Sequence, residues 1–253
     1  MTEIKKDETI DVRGKSCPMP VLKTKKAIDG LEDGQVVEVL ATDKGSKSDI
    51  PAWASKTGNK VLEVVEEGDV IKFYVQKGTG EAPSEEAGAP KIRKKKLSII
   101  MTKGTLDMAY IPFIVGNTAA AMGMDVSIFF TFYGFSVINK KKYKNLKVAP
   151  LANPAMPMPS PMDKIFSNAM GAVPGMTAIG TMMMKQMFKK GGVPPIEEMV
   201  DDAVKLGIKL LPCQMTMDVM GIKREDLIDG TEEPVGAAAY LADAIDSDIN
   251  FLV

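Results

Sequence analysis

The stretch "DVRGKSCPMPVLKTKKAIDG", residues 11–30, joins the end of a strand to a helix through a cysteine and two prolines. Pro18 suits the first position of a helix. Its missing N–H would be unpaired there anyway, and its φ is already helical. Residues 18–29 fit that helix, with Val21, Leu22, Ala27 and Ile28 facing a core and Gly30 ending it. Cys17 then falls at the N-cap, where Ser, Thr, Asp or Asn are the favoured residues. A thiol caps poorly, so helix stability does not explain Cys17. A thiolate does: free N–H groups and the positive end of the helix dipole favour the anion, and Arg13 and Lys15 add positive charge. The expectation is an accessible cysteine with a pKa below that of a free thiol.

Working outward, "TIDVRG" alternates apolar and polar residues, with Ile10 and Val12 inward, and "QVVEVLAT" is a second strand. "SKSDIPAWASKTG" is a short helix with Ser48 as N-cap and Gly58 just past its end. "KVLEVVEEGDVIKFYVQ" is a hairpin turning at Glu67-Gly68-Asp69. The order β-α-β-α-β-β predicts a two-layer α+β sandwich over residues 1–77. Trp53 is expected to pack under the second helix.

Residues 78–96, "GTGEAPSEEAGAPKIRKKK", have a linker composition, with Ile92 the one large apolar side chain. From residue 97 the pattern changes. "LSIIM", a helix at about 105–122, "DVSIFFTFYG", the helix "PPIEEMVDDAVKLG", "IKLLPC" and "DINFLV" alternate short apolar runs with helices. That predicts a three-layer α/β domain with a mostly parallel sheet over 97–253. Phe129, Phe130, Phe132 and Phe135 are expected as core packing. An insert at about 145–193 interrupts it, with a Pro/Met loop and then "IFSNAMGAVPGMTAIGTMMM", residues 165–184, without a charge. The three glycines, the proline and the scarcity of Leu, Ile and Val favour a buried or interface helix over a membrane span. All 19 methionines except Met1 and Met19 lie after residue 97, a composition suited to adaptable packing.

The 253 residues carry a net charge of −1, which removes the usual argument for a nucleic-acid partner. "MTEIKKDETI" lacks the apolar core of a signal peptide, and two cysteines about 200 residues apart do not form a secreted disulfide framework, so a reducing cytoplasm is expected. The chain has no histidine, which excludes Ser-His-Asp and Cys-His catalysis and His-ligated zinc. Two cysteines cannot make a four-cysteine zinc site, and no metal or cofactor is expected. Any chemistry is left to sulfur nucleophiles or carboxylates; the sulfur candidates are Cys17 and Cys213, the latter at the carboxyl end of a strand, where ligands bind in open α/β sheets. "TKGTLDMA" offers Lys103 in a strand-to-helix turn that could attract an anion.

The residues then reach two families. "DVRGKSCPMPVLKTKKAI", the following strand and the hairpin, residues 8–77, resemble the TusA/SirA sulfur-carrier family, whose C-P-x-P box Cys17, Pro18 and Pro20 match. The resemblance implies that Cys17 accepts sulfane sulfur as a persulfide. "IIMTKGTLDMAYIPFIVGNTAAAMGMDVSIFFTFYG" and "LPCQMTMDVMGIKREDLIDG" resemble the DsrE/DsrF-like family, in its long Met-rich subgroup labelled peroxiredoxin-like, over residues 96–253. That implies a sulfur-relay protein and a homo-oligomer, with Cys213 matching the subgroup's cysteine. Together they imply a relay from a donor protein of cysteine desulfurase or rhodanese type to Cys17, then to Cys213 and a downstream acceptor. Two rivals stand beside it: a thiol peroxidase or reductase that pairs the two cysteines, and a non-catalytic adaptor that uses the Met-rich insert to bind a partner or membrane.

Overall fold

The computed structural model describes residues 4–78, 94–149 and 174–253. Most of the expected linker and the insert residues 150–173 lie outside the described residues.

The first sheet is built from β1 (Glu8–Asp11), α1 (Met19–Gly30), β2 (Val36–Ala41), α2 (Ser46–Lys56), β3 (Lys60–Glu67) and β4 (Val70–Gln76). Its strand order is β1-β2-β4-β3, with β1 parallel to β2 and the other pairs antiparallel. Gly68, at φ +60°, supplies the left-handed turn between β3 and β4. Val37, Val39 and Ala41 pair across the ladder with Val75, Phe73 and Ile71, so all six share one face. Val21 and Ile28 of α1 and Ile50, Trp53 and Ala54 of α2 cover that face. Each large side chain buried there contributes about 1.5–3 kcal/mol. The opposite face holds Glu38 between Lys6, the Thr9 hydroxyl at 3.1 Å and the Tyr74 hydroxyl at 2.9 Å. The two-layer sandwich is as expected, but α2 begins at Ser46, two residues before the expected cap at Ser48, and Gly45 is its N-cap.

The second sheet contains β5 (Lys96–Met101), β6 (Asp125–Phe130), β7 (Lys209–Pro212) and β8 (Ile249–Leu252), all parallel, in the order β7-β6-β5-β8. Helices α3 (Leu106–Ala121), α4 (Phe135–Ile138), α5 (Met176–Lys190), α6 (Ile196–Lys205), α7 (Gln214–Met220) and α8 (Ala237–Ala244) complete it. Leu97, Ile99 and Met101 pair with Val126, Ile128 and Phe130 on the face packed by α3, where the Phe113 ring lies 6.4 Å from Phe130. On the other face the Tyr240 ring of α8 stacks on Phe129 at 4.5 Å, and its hydroxyl meets Ser98 Oγ at 2.9 Å. Helices on both faces make the expected three layers.

One expectation fails here. Phe132 is half-exposed rather than core, because the chain leaves the sheet at Phe130 and Phe132 takes a left-handed φ of +47°. The Met-rich helix is only partly buried. In α5, Met184 packs inward and Phe188 meets Tyr110 edge-on at 4.5 Å, whereas Ile179, Met182 and Met187 are exposed. Among the described residues no helix is long and apolar enough to cross a membrane.

The first sheet's helices pack on α3. Ala121 is fully buried in the first core and Met122 packs against it. The Trp53 indole N–H donates to the Ala121 carbonyl at 2.7 Å, so Trp53 packs in the first core, as expected, and also joins the two halves. The Ser16 N–H donates to the Gly192 carbonyl at 3.1 Å, and the Ser16 hydroxyl donates to the Gly191 carbonyl. A Cβ on Gly192, whose φ is +71°, would lie 2.2 Å from the Gly14 carbonyl oxygen. The two turns therefore meet backbone to backbone.

Candidate functional site

Cys17 precedes α1 by two residues, and Pro18, not Cys17, is the N-cap. The shift has a physical consequence. Pro18 and Pro20 lack N–H groups, so the helix start offers the sulfur fewer donors than a generic N-terminus. Arg13 does not face the sulfur either. Its guanidinium forks onto Asp11, with Nε 2.9 Å from Oδ1, which lowers the Asp11 pKa to about 2. Lys15 is exposed, and Pro18 and Pro20 are buried.

Cys17 itself is a free, half-buried thiol. Burial first, then the charges of Asp49 and Asp43 and a hydrogen bond to Asp49, push its pKa up to about 11. One neighbour works the other way: Thr118, on the last turn of α3, favours the thiolate. The Thr118 hydroxyl also reaches the Ile114 carbonyl at 2.8 Å. The expected depressed pKa is thus reversed, because two carboxylates and a covering helix outweigh a proline-capped helix start.

Cys213 stands where the sequence placed it, at the carboxyl end of β7 and at the N-cap of α7. It is buried, with 5% exposure. Its N–H donates to the Phe130 carbonyl at 3.0 Å, and its carbonyl accepts from the Met217 N–H at 3.1 Å. The adjoining turn is tightly built. Thr131 and Thr216 join hydroxyls at 3.0 Å, and the Phe132 N–H donates to Thr216 Oγ1 at 3.2 Å, holding the left-handed residue in place. Phe132, Tyr133, Met215, Val219 and Met220 form an exposed apolar rim on these two turns. The motifs in the sequence gave no sign of this rim, since a phenylalanine before Tyr-Gly does not signal positive φ.

Lys103 is exposed on the turn after β5. The turn is not an open anion cradle. Thr102 donates its N–H to Val253 at 2.7 Å and Leu106 to Lys147 at 2.9 Å. A Cβ on Gly104 would lie 2.1 Å from the Tyr133 carbonyl oxygen, so that carbonyl and the Ser136 side chain fill the space.

The structure does not bring the two cysteines together. Helix α3 runs against the strands, so Thr118 sits near the amino edge of the sheet and Cys213 at the carboxyl edge. Between those edges β6 rises about 17 Å. A disulfide needs Cα atoms within about 7 Å, so Cys17 and Cys213 are not a redox pair in this arrangement. Among the described residues no cluster of His, Cys, Asp and Glu could hold a metal.

Residues 93–252 match the model of the DsrE/DsrF/DrsH-like family, and residues 8–77 match that of Sulfurtransferase TusA. The chain is 49% identical over 158 residues to Sulfur carrier protein DsrE2 of Allochromatium vinosum, covering 62% of this chain and 98% of that one. It is 51% identical over 75 residues to Putative sulfur carrier protein YrkI of Bacillus subtilis, covering 30% of this chain and all of the relative (100%). A solved SirA-like protein from Desulfitobacterium hafniense aligns at 34% identity over 28% of this chain and 97% of its own, with a TM-score of 0.26.

Proposed function

Since the chain belongs to the DsrE/DsrF/DrsH-like family and carries a TusA-like region ahead of it, we propose that it is a sulfur-relay protein in which Cys17 loads sulfane sulfur and Cys213 receives it. The observation that carries this reading is the placement of its two thiols, the whole cysteine content of the chain. One lies in each matched region, and each stands at the entry to a helix.

The chemistry needs no oxidant. A Cys17 thiolate attacks the outer sulfur of a donor persulfide, R–S–SH. The donor S–S bond breaks, its electron pair leaves with R–S⁻, and Cys17–S–SH forms. The Cys213 thiolate then repeats the attack, leaving Cys213–S–SH and a Cys17 thiolate. Rates follow thiolate fraction and leaving-group acidity. A reducing cytoplasm keeps both thiols free for this exchange. The donor is a protein of cysteine desulfurase or rhodanese type, and the apolar rim around Phe132 and Met215 suits contact with a protein acceptor.

Intact-mass analysis after incubation with a protein sulfane donor tests the reading. Wild-type protein gains one sulfur atom, and the gain on residues 8–77 disappears in Cys17→Ser. A gain that survives on that region in Cys17→Ser, or no gain in any form, overturns the role of Cys17.

A further inference from the structure

Each sheet has two edges, and three of these four edges are guarded. β1 carries Glu8 and Asp11. β3 carries Lys60, Glu63, Glu66 and Glu67, and a bulge interrupts it between Val61 and Glu63. β7 is covered: Thr231 and Val235 bridge to Leu210 and Cys213, and the Glu232 N–H donates to the Leu210 carbonyl at 2.9 Å. Charges, bulges and covering segments keep sheet edges from pairing with other chains. β8, "INFL", has no charge, proline or bulge, and among the described residues it pairs only with β5.

The side chains around this bare edge are apolar. Ile249 and Leu252 are both exposed; in register with Leu97 and Ile100, Ile249 lies on the face of α3 and Leu252 on the face of α8. On α8, Asp243 reaches Lys209 of β7 at 3.2 Å. The opposite flank of α8, with Leu241 and the 81% exposed Ile245 one turn apart, therefore turns toward β8. The backbone is open too. Val253 directs its N–H to the Ile100 carbonyl at 2.9 Å, and its carbonyl accepts from the Thr102 N–H at 2.7 Å, so both of its groups face β5. Backbone groups alternate in direction along a strand, so those of Leu252 and Asn250 point outward.

We propose that the β8 edge joins two copies of this chain, antiparallel about a two-fold axis at Phe251. Asn250 of each copy then exchanges backbone hydrogen bonds with Leu252 of the other, and the two sheets become one. On the α8 face, each copy's Leu252 comes opposite the other's Asn250, beside the Leu241–Ile245 flank. A second copy fits this edge because an uncharged strand meets its own image without like-charge contact. The ends of the edge are also complementary. Asp246 is exposed just ahead of β8, Lys103 is exposed just past the Thr102–Val253 bond, and neither has an ion-pair partner among the described residues. Antiparallel joining sets the amino edge of one sheet beside the carboxyl edge of the other, and so acid toward base. The inference does not rest on the relay reading.

Sedimentation equilibrium of the full chain over a range of concentrations tests the proposal. Wild type approaches twice the mass of one chain as concentration rises. Asn250→Pro removes an outward N–H and leaves the bonds to β5, since proline is tolerated on an edge strand. Ile245→Lys puts a charge on the exposed flank without reaching the core. Each raises the dissociation constant about tenfold or more, with the far-ultraviolet circular dichroism of wild type; tenfold is equivalent to about 1.4 kcal/mol. Val219→Lys, on the exposed rim near Cys213, leaves the constant as in wild type. A wild type that stays a single chain at every concentration leaves the edge to a strand of another protein and overturns the proposal. A dimer that neither Asn250→Pro nor Ile245→Lys weakens, or that Val219→Lys weakens as much, overturns it as well.

Discussion

Cys17 is held away from ionisation by its neighbours, and this has a direct kinetic signature. Its alkylation by a neutral reagent is slow at neutral pH and rises until about pH 11. The sign follows from the raised pKa. The folded, protonated form is favoured fully below the ordinary thiol pKa, and that preference is lost as pH rises through the folded value of about 11. Asp49→Asn removes the nearer negative charge and should move the profile to lower pH. The rate at pH 8 then gains about tenfold for each pH unit by which the midpoint falls. An unchanged profile would mean that Asp49 does not set the state of the sulfur. Sequence alone showed Cys17, Pro18 and Pro20 as a chemical motif. It could not show that Arg13 pairs with Asp11, nor that Thr118 approaches from about 100 residues away. The dipole argument failed because burial and the Asp49 and Asp43 carboxylates, which the fold brings to Cys17, oppose the thiolate while Arg13 pairs locally with Asp11.

At the scale of elements, backbone-to-backbone contacts at glycine govern both the contact between the two halves and the Cys213 edge. Gly192→Ala places a methyl 2.2 Å from the Gly14 carbonyl oxygen and also strains a left-handed residue. It should part the TusA-like region from α3, seen as a red shift of Trp53 emission with unchanged secondary structure; a protected Trp53 would contradict this. Gly134→Ala places its methyl 2.3 Å from the Met101 carbonyl oxygen, where β5 and β6 hand over to their loops. The expected cost is about 1–3 kcal/mol, read as a lower thermal midpoint. The strands and helices were legible because their apolar periods are strong: "LSIIM", "DVSIFF" and "KLLP" are buried on both faces, as parallel strands are. Phe132 was not legible, since its N–H donates to the Thr216 hydroxyl on a helix distant in sequence, which fixes its backbone.

Across the whole molecule, the two matched regions meet over α3, and we propose that they fold as separate units joined by residues 78–95, the expected linker less Lys96, which opens β5. Proteolysis between them should give two fragments that stay associated through Trp53–Ala121 and Ser16–Gly192 and that part in Gly192→Ala. Fragments that unravel would contradict the division. In the proposed relay, sulfur reaches Cys213 by way of Cys17. The most direct measurement supplies radiolabelled sulfane sulfur from a protein donor and follows label on the peptide that contains Cys213. Label is expected there in wild type, with accumulation on Cys17 in Cys213→Ser and loss from Cys213 in Cys17→Ser. Label appearing on Cys213 at the wild-type rate in Cys17→Ser would contradict the relay.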